Sequence, residues 1–198
     1  KSIVLSGTNY VKEYFCGLTF HLDSTSFFQI NTSQAEKIIN HICEWFISHI
    51  GLKKIVDAYC GIGTIALPLA KKGFSIVGIE IHRDSINQAN INAKINGIKN
   101  IDFLLGDVKQ HLDNLLDDSS GLVLDPPRKG LDIDVIKCIL KLKPKKIAYL
   151  SCNPITLARD IHHLTEDNVY KLDNIYPIDF FPQTTHLECL AFISTSNS

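Results

Sequence analysis

Five short polar stretches, each set just after an apolar run, hold the residue types in this chain that can do chemistry. Tyr59-Cys-Gly-Ile-Gly63 follows the run beginning at Ile55. Glu80 ends Ser75-Ile-Val-Gly-Ile79, and Gly106-Asp107 follows Ile101 to Leu105. Asp125-Pro-Pro-Arg128 follows Gly121 to Leu124, and Ser151-Cys-Asn-Pro154 follows Lys146 to Leu150. In open α/β sheets ligands bind outside the carboxyl ends of the strands, so these five stretches would share one rim. Glycines at 61 and 63 allow a sharp turn and a close backbone approach to a ligand, although an ordinary tight strand-to-helix turn would carry them too. Glu80, 23 residues past Asp57, could accept from both hydroxyls of a ribose, and loop and acid together suggest an adenosine-bearing cofactor.

Three further residues carry reactive groups: Cys152, Asp125 and Glu188. Cys152 falls between a strand and a helix opened by Pro154, where a helix N-terminus stabilises a thiolate and favours a nucleophile; a buried core thiol is the alternative. Asp125 precedes two prolines that fix an extended, rigid ledge, able to hold a carboxylate against a planar base or simply to end a strand. Glu188 opens the last apolar run, where a lone acid would ordinarily be solvated.

The elements that must position these residues alternate regularly. Residues 1 to 30 read as short strands and turns, an approach segment. Thr32 is a plausible N-cap for a helix reaching Ile50, with apolar positions at Ala35, Ile38, Ile39, Ile42, Trp45 and Phe46. Strands near 54–58, 75–80, 101–105, 121–124 and 146–150 then alternate with helices near 64–72, 84–96, 108–116, 132–142 and 154–164. Two β-rich runs, 169–178 and 188–194, close the chain without a helix between them. This predicts an α/β fold: a mostly parallel seven-stranded sheet, helices on both faces, and an antiparallel hairpin at one edge.

A chain of 198 residues with 45% apolar content can bury one core. A net charge of -1 gives no field that argues for nucleic acid, though a local basic patch can sit on a neutral whole. No run of 18 apolar residues and no charged-then-apolar leader is present, so a cytoplasmic protein with no membrane partner is expected. Cysteines at 16, 43, 60, 138, 152 and 189 lack metal or disulfide spacing, and the histidines are scattered; no metal is expected. The first residue is Lys and Met is absent, as expected for a piece of a longer protein.

Five motifs together resemble the S-adenosylmethionine-dependent RNA uridine 5-methyltransferases of ribosomal and transfer RNA. They are Phe27-Phe-Gln-Ile-Asn31, Asp57-Ala-Tyr-Cys-Gly-Ile-Gly63, Asp125-Pro-Pro-Arg-Lys-Gly130, Ser151-Cys-Asn-Pro-Ile-Thr-Leu157 and His186-Leu-Glu188, in the family's order and over nearly the whole chain. The resemblance implies a Rossmann-like class I methyltransferase fold, with residues 1–31 ending an upstream region and 32–198 forming the catalytic domain. It implies S-adenosyl-L-methionine as cofactor, held by Gln29, Tyr59, Glu80, Asp107 and Asp125, with Cys152 as nucleophile and Glu188 as base. The partner it implies is RNA with an unpaired uridine; Leu157-Ala-Arg159 favours the ribosomal branch, and no protein partner is implied. Arg128, Lys129 and Arg159 could meet phosphates. Two other readings stay open. An amino methyltransferase would use Asp125-Pro-Pro on an exocyclic amine, but normally has an aromatic where Arg128 stands. A non-catalytic RNA-binding module would have no need of Cys152 and Glu188.

Overall fold

The computed structural model describes residues 7–24, 27–29, 31–49, 51–184 and 187–196. Ile30 and His186, both within the motifs above, lie outside the described residues, as does Ile50, the expected end of the first helix. A hairpin of β1 (Val11–Phe15) and β2 (Leu18–Leu22) comes first, then helix α1 (Thr32–Ile47). A run of βα units follows: β3 (Lys54–Ala58), α2 (Ala66–Lys71), β4 (Ile76–Glu80), α3 (Arg83–Ile95), β5 (Ile101–Leu105), α4 (Val108–Leu115), β6 (Ser120–Leu124), α5 (Ile133–Leu142), β7 (Lys146–Ser151) and α6 (Pro154–Thr165). Strands β8 (Tyr170–Ile178) and β9 (Glu188–Thr195) end it.

The seven longer-range strands form one sheet in the order β5-β4-β3-β6-β7-β9-β8, parallel except that β9 runs against both its neighbours. This bears out the expected α/β fold with an antiparallel edge. The last strand, however, inserts between β7 and β8 rather than lying outside them. The chain steps from β3 outward to β5 and then returns to β6 on the other side of β3. That reversal leaves a crevice above the β3 and β6 carboxyl ends.

Sequence pattern accounts for the layers. Strands β3, β6 and β7 read as continuous apolar runs because both faces are covered. On one face α1 packs Ala35, Ile38, Ile39, Ile42, Cys43 and Phe46 inward, with Phe15, Phe20 and Leu67 in the same cluster. On the other, α4, α5 and α6 contribute Leu112, Ile139 and Leu164 around Tyr149. Each fully buried apolar side chain of this kind stabilises by roughly 1.5–3 kcal/mol. The hairpin therefore belongs to the same core, and its β2 backbone is held by α3: Asn92 accepts from the His21 amide at 2.9 Å, and Asn96 both accepts from and donates to Thr19 at 2.9 and 2.7 Å.

One boundary differs from expectation. The N-cap of α1 is Asn31, not Thr32: its side chain accepts from the Gln34 amide and its Nδ2 donates to the Phe180 carbonyl at 3.2 Å. Asparagine and threonine are both good caps, and the tertiary contact to Phe180 favours the former.

Candidate active site

A cavity of about 520 Å³ opens over the β3/β6 reversal. Gln29, Tyr59, Glu80, Asp107, Asp125, Cys152 and Glu188 all line it, so residues spread over 160 positions of sequence meet in one place. The register explains the last of them. Antiparallel pairing sets Cys189 opposite Ser151, which brings Glu188 level with Cys152 at the carboxyl end of β7.

The glycine-loop side is built by backbone hydrogen bonds. Glu80 accepts from the Gly61 amide with Oε2 at 3.1 Å and from the His82 amide with Oε1 at 2.8 Å, so the carboxylate clamps the loop after β3 to the turn after β4. Each oxygen keeps a lone pair for a further donor. Tyr59 is held at φ 68°, in the left-handed region, and Gly61 at 55° with open space where a Cβ would stand. That open side is where a ligand can approach the backbone. Asp107, beyond its place on the cavity wall, is the N-cap of α4 and accepts from the Lys109 amide.

Asp57 went unassigned in the sequence because it reads there only as the acid preceding a glycine turn. It is 1% exposed, it lines the cavity, and neither of its oxygens has a hydrogen-bond partner among the described residues. Burial pushes its pKa well up, with the Asp125 and Glu80 charges adding to the rise; the Ala66 amide lowers it without closing a hydrogen bond. A buried carboxylate left unsatisfied is costly unless a cationic or hydrogen-bonding ligand completes it.

The opposite side holds three groups that disfavour one another's charges. Asp125 faces the cavity but has protein atoms on nearly every side, and this desolvation, together with the Glu188 charge, raises its pKa to about 7. Glu188 is raised by its own burial. The thiol of Cys152 is also raised, by desolvation first and then by Glu188 and Asp125, against a smaller lowering by Arg128 and its own amide. The expected thiolate stabilised by the helix therefore does not arise from α6 alone. Cys152 sits one residue before the Asn153 N-cap, and burial beside two carboxylates outweighs the helix end. Ser151 fixes the cysteine turn, its hydroxyl donating to the Asn153 carbonyl at 3.1 Å and accepting from the Asn153 amide at 3.2 Å.

Of the three cations expected to meet phosphates, Lys129 lines the cavity. Arg159 is largely committed within the protein: it donates to Asp160 and to the carbonyls of Lys129 and Leu131. No helix among the described residues is long and apolar enough to cross a membrane.

Comparison with known proteins shows the family. An RNA methyltransferase of uncharacterised role from Parasynechococcus marenigrum is 50% identical over 197 residues, covering 98% of this chain and 42% of the relative. A similar protein from Oceanobacillus iheyensis is 40% identical over 195 residues, 96% of this chain and 42% of its own length. The crystal structure of the Pyrococcus abyssi tRNA (uracil-54, C5)-methyltransferase in complex with S-adenosyl-L-homocysteine superposes with a TM-score of 0.82 at 31% identity, over 95% of this chain and 45% of that one. The chain thus spans less than half the length of these relatives. Trm5b of the same organism shares the fold alone, with a TM-score of 0.74 at 13% identity over 96% of this chain and 57% of its own. The family model described as tRNA (Uracil-5-)-methyltransferase matches residues 7–196, and the chain belongs to that family.

Proposed function

We propose that this chain is the catalytic part of an S-adenosyl-L-methionine-dependent RNA uridine methyltransferase that forms 5-methyluridine, with residues 32–198 as the catalytic unit. The observation that carries the reading is the shared cavity, in which a glycine loop with Glu80 and Asp57 faces Cys152, Glu188 and Asp125. The cofactor fits the residues present. The two unpartnered oxygens of Asp57 suit a cationic amino group, the free lone pairs of Glu80 suit ribose hydroxyls, and the open face at Gly61 admits close contact. Gln29, Tyr59, Asp107 and Asp125 complete its surroundings.

Carbon 5 of uracil is too weak a nucleophile to be methylated directly. Cys152 adds its sulfur to carbon 6, and the ring electrons move to carbon 5 and the carbon 4 oxygen as an enolate. The thiol proton passes to a facing carboxylate; Asp125, with a pKa of about 7, is half ionised near neutrality and suits that role. The bound cofactor supplies a methyl group on a positive sulfonium, which carbon 5 takes up. Glu188 then removes the remaining proton from carbon 5, the C–H pair re-forms the 5,6 double bond, and the carbon–sulfur bond breaks to release Cys152. Burial raises the Glu188 pKa and so strengthens it as a base. A stacked uridine does not offer carbon 6, so the target is extruded. Phe27, 76% exposed on the cavity wall, offers apolar surface to an RNA base.

Ribosomal RNA is the substrate we favour, on the Leu157-Ala-Arg159 sequence after the cysteine motif. Transfer RNA is the second reading, favoured by the family description and by the name of the Pyrococcus enzyme. Full-length protein incubated with labelled cofactor and each unmodified RNA, followed by nucleoside analysis, tests both. Labelled 5-methyluridine is expected from ribosomal RNA. Label only in transfer RNA would reassign the substrate, and label on an exocyclic amine, or on neither RNA, would overturn the uridine reading.

A further inference from the structure

Below the site lies a polar network, centred on one buried carboxylate, that none of the steps above uses. Asp160 is fully buried on α6, two turns past Cys152. Its Oδ2 accepts from the Leu131 amide at 2.8 Å and from the Tyr149 hydroxyl at 2.7 Å, and its Oδ1 accepts from Arg159 Nε and Nη2 at 2.9 and 2.7 Å. Arg159 Nη2 in turn donates to the Lys129 and Leu131 carbonyls at 3.0 and 3.3 Å. Asn153 and Thr156 both donate to the Arg128 carbonyl, at 3.0 and 3.3 Å. These bonds from residues 153–160 to the loop end on the backbone of Arg128, Lys129 and Leu131.

The fit is tight as well as polar. Gly130 has φ 74°, and a Cβ there would stand 2.5 Å from Asp160 Oδ2 and 2.7 Å from Arg159 Nη2. The loop is therefore pressed against the carboxylate with no room for a side chain. Two walls of the cavity meet across this contact: the wall of Asp125, Pro126, Pro127 and Lys129, and the helix that begins just after Cys152. The Asp160 carboxylate is wholly desolvated while the Arg159 side chain is 47% exposed, so the ion pair by itself adds little net stability. What a directional, fully satisfied network supplies is fixed geometry.

We propose that Asp160 and Arg159 are positioning residues, a latch that sets the spacing between the Cys152 sulfur and the Asp125–Lys129 wall and so governs addition to carbon 6, without contributing to cofactor affinity. This rests on the uridine reading above. In Asp160→Asn the amide nitrogen replaces an acceptor against a donor, so one side of the latch opens while the volume is kept.

The test measures three quantities on full-length Asp160→Asn at a temperature where circular dichroism shows it folded. The rate of covalent adduct formation with 5-fluorouridine RNA should fall roughly 100-fold, the scale of a displacement of about 1 Å at a reacting pair. Cofactor affinity by calorimetry should stay at the wild-type value. The Leu131 amide should exchange faster, and Cys152 should be alkylated several-fold faster by iodoacetamide, read on its own peptide. Wild-type addition rate in a folded variant overturns the latch, and so does an equal loss of cofactor affinity. Should Asp160→Asn fail to fold, Arg159→Lys keeps the charge but lacks the fork, and the same divergence between addition rate and affinity is expected of it. If wild-type protein forms neither adduct nor 5-methyluridine, the uridine reading fails; the latch is then decided by Leu131 exchange and Cys152 alkylation alone, and unchanged values overturn it.

Discussion

The two sides of the cavity are stabilised in opposite ways. On the β3–β4 side the protein satisfies its own groups: both Glu80 oxygens take backbone amides, and the Cys60 and Gly63 amides donate to Ile79 and Cys60 carbonyls at 2.9 Å. On the β6–β7–β9 side the reactive groups are left in tension: burial raises the pKa of Asp125, Glu188 and Cys152, the Glu188 charge adds to the rise at Asp125, and both carboxylates add to it at Cys152. A rigid side can hold a cofactor in place at little cost in ordering. A side whose charges are poorly compensated is poised to exchange protons once a substrate fills it. Asp57 stands at the join and belongs by its missing partners to the second kind.

The largest expected effect separates the two sides cleanly. Cys152→Ala should abolish methyl transfer, on the order of 10⁴-fold or more as for other nucleophile deletions, while leaving cofactor affinity at the wild-type level. The adduct with 5-fluorouridine RNA should disappear with it. In Glu188→Gln addition and methyl uptake should survive and release fail, so a covalent complex with ordinary uridine RNA should accumulate on a denaturing gel. Wild-type turnover in Cys152→Ala, or no accumulation in Glu188→Gln, would remove the covalent mechanism and with it the division of labour between the two sides.

A smaller effect sharpens the other side. In Glu80→Gln one oxygen becomes an NH₂ group facing either the Gly61 or the His82 amide, so the variant loses an internal clamp as well as a charged acceptor for ribose. Cofactor affinity should fall by about 1.5–3 kcal/mol, the range for hydrogen bonds to charged groups, which is roughly 10- to 150-fold. Calorimetry reads it directly. Adduct formation at saturating cofactor should change little; an equal loss in both would mean that the two sides are not independent.

The difference between the sides also explains what could be read in the sequence. The glycine loop and Glu80 were legible because their interactions are local to two βα turns, and the loop's two readings were narrowed by the acid 23 residues past Asp57. Strand ends 125 and 151 were legible for the same reason. The insertion of β9 between β7 and β8 was not, because antiparallel pairing across intervening residues leaves no periodic trace, and the seating of Glu188 beside Cys152 follows from that register alone. The acidity of Cys152 is set first by its burial and then by carboxylates 36 residues after it and 27 before it in sequence, so a helix N-terminus read locally gave the opposite direction. The internal bonds of Arg159 to the Lys129 and Leu131 carbonyls were not legible either, because those partners lie 28 to 30 residues away.

The smallest effect is on stability, and its sign follows from Asp125. Its carboxyl titrates at the ordinary value of 3.8 in the unfolded chain and at about 7 in the folded protein. Between those values the folded state binds more protons than the unfolded state, so stability falls as pH rises from about 4 to 7 and stays reduced above that. Asp57, raised in the same direction, adds to the fall. Asp125→Asn keeps the shape and removes one of these titrations, so thermal unfolding should show little difference from wild type near pH 4 and a higher midpoint for the variant at pH 8. A gain of roughly 2–4 °C corresponds to 1 kcal/mol at this chain length. The same variant should lose methyl transfer, since an acid kept in an unfavourable charge state for its chemistry is a cost in stability. A midpoint difference that does not change with pH would mean that Asp125 is neutralised by a partner in the folded protein, and the tension assigned to this side of the cavity would have to rest on Glu188 alone.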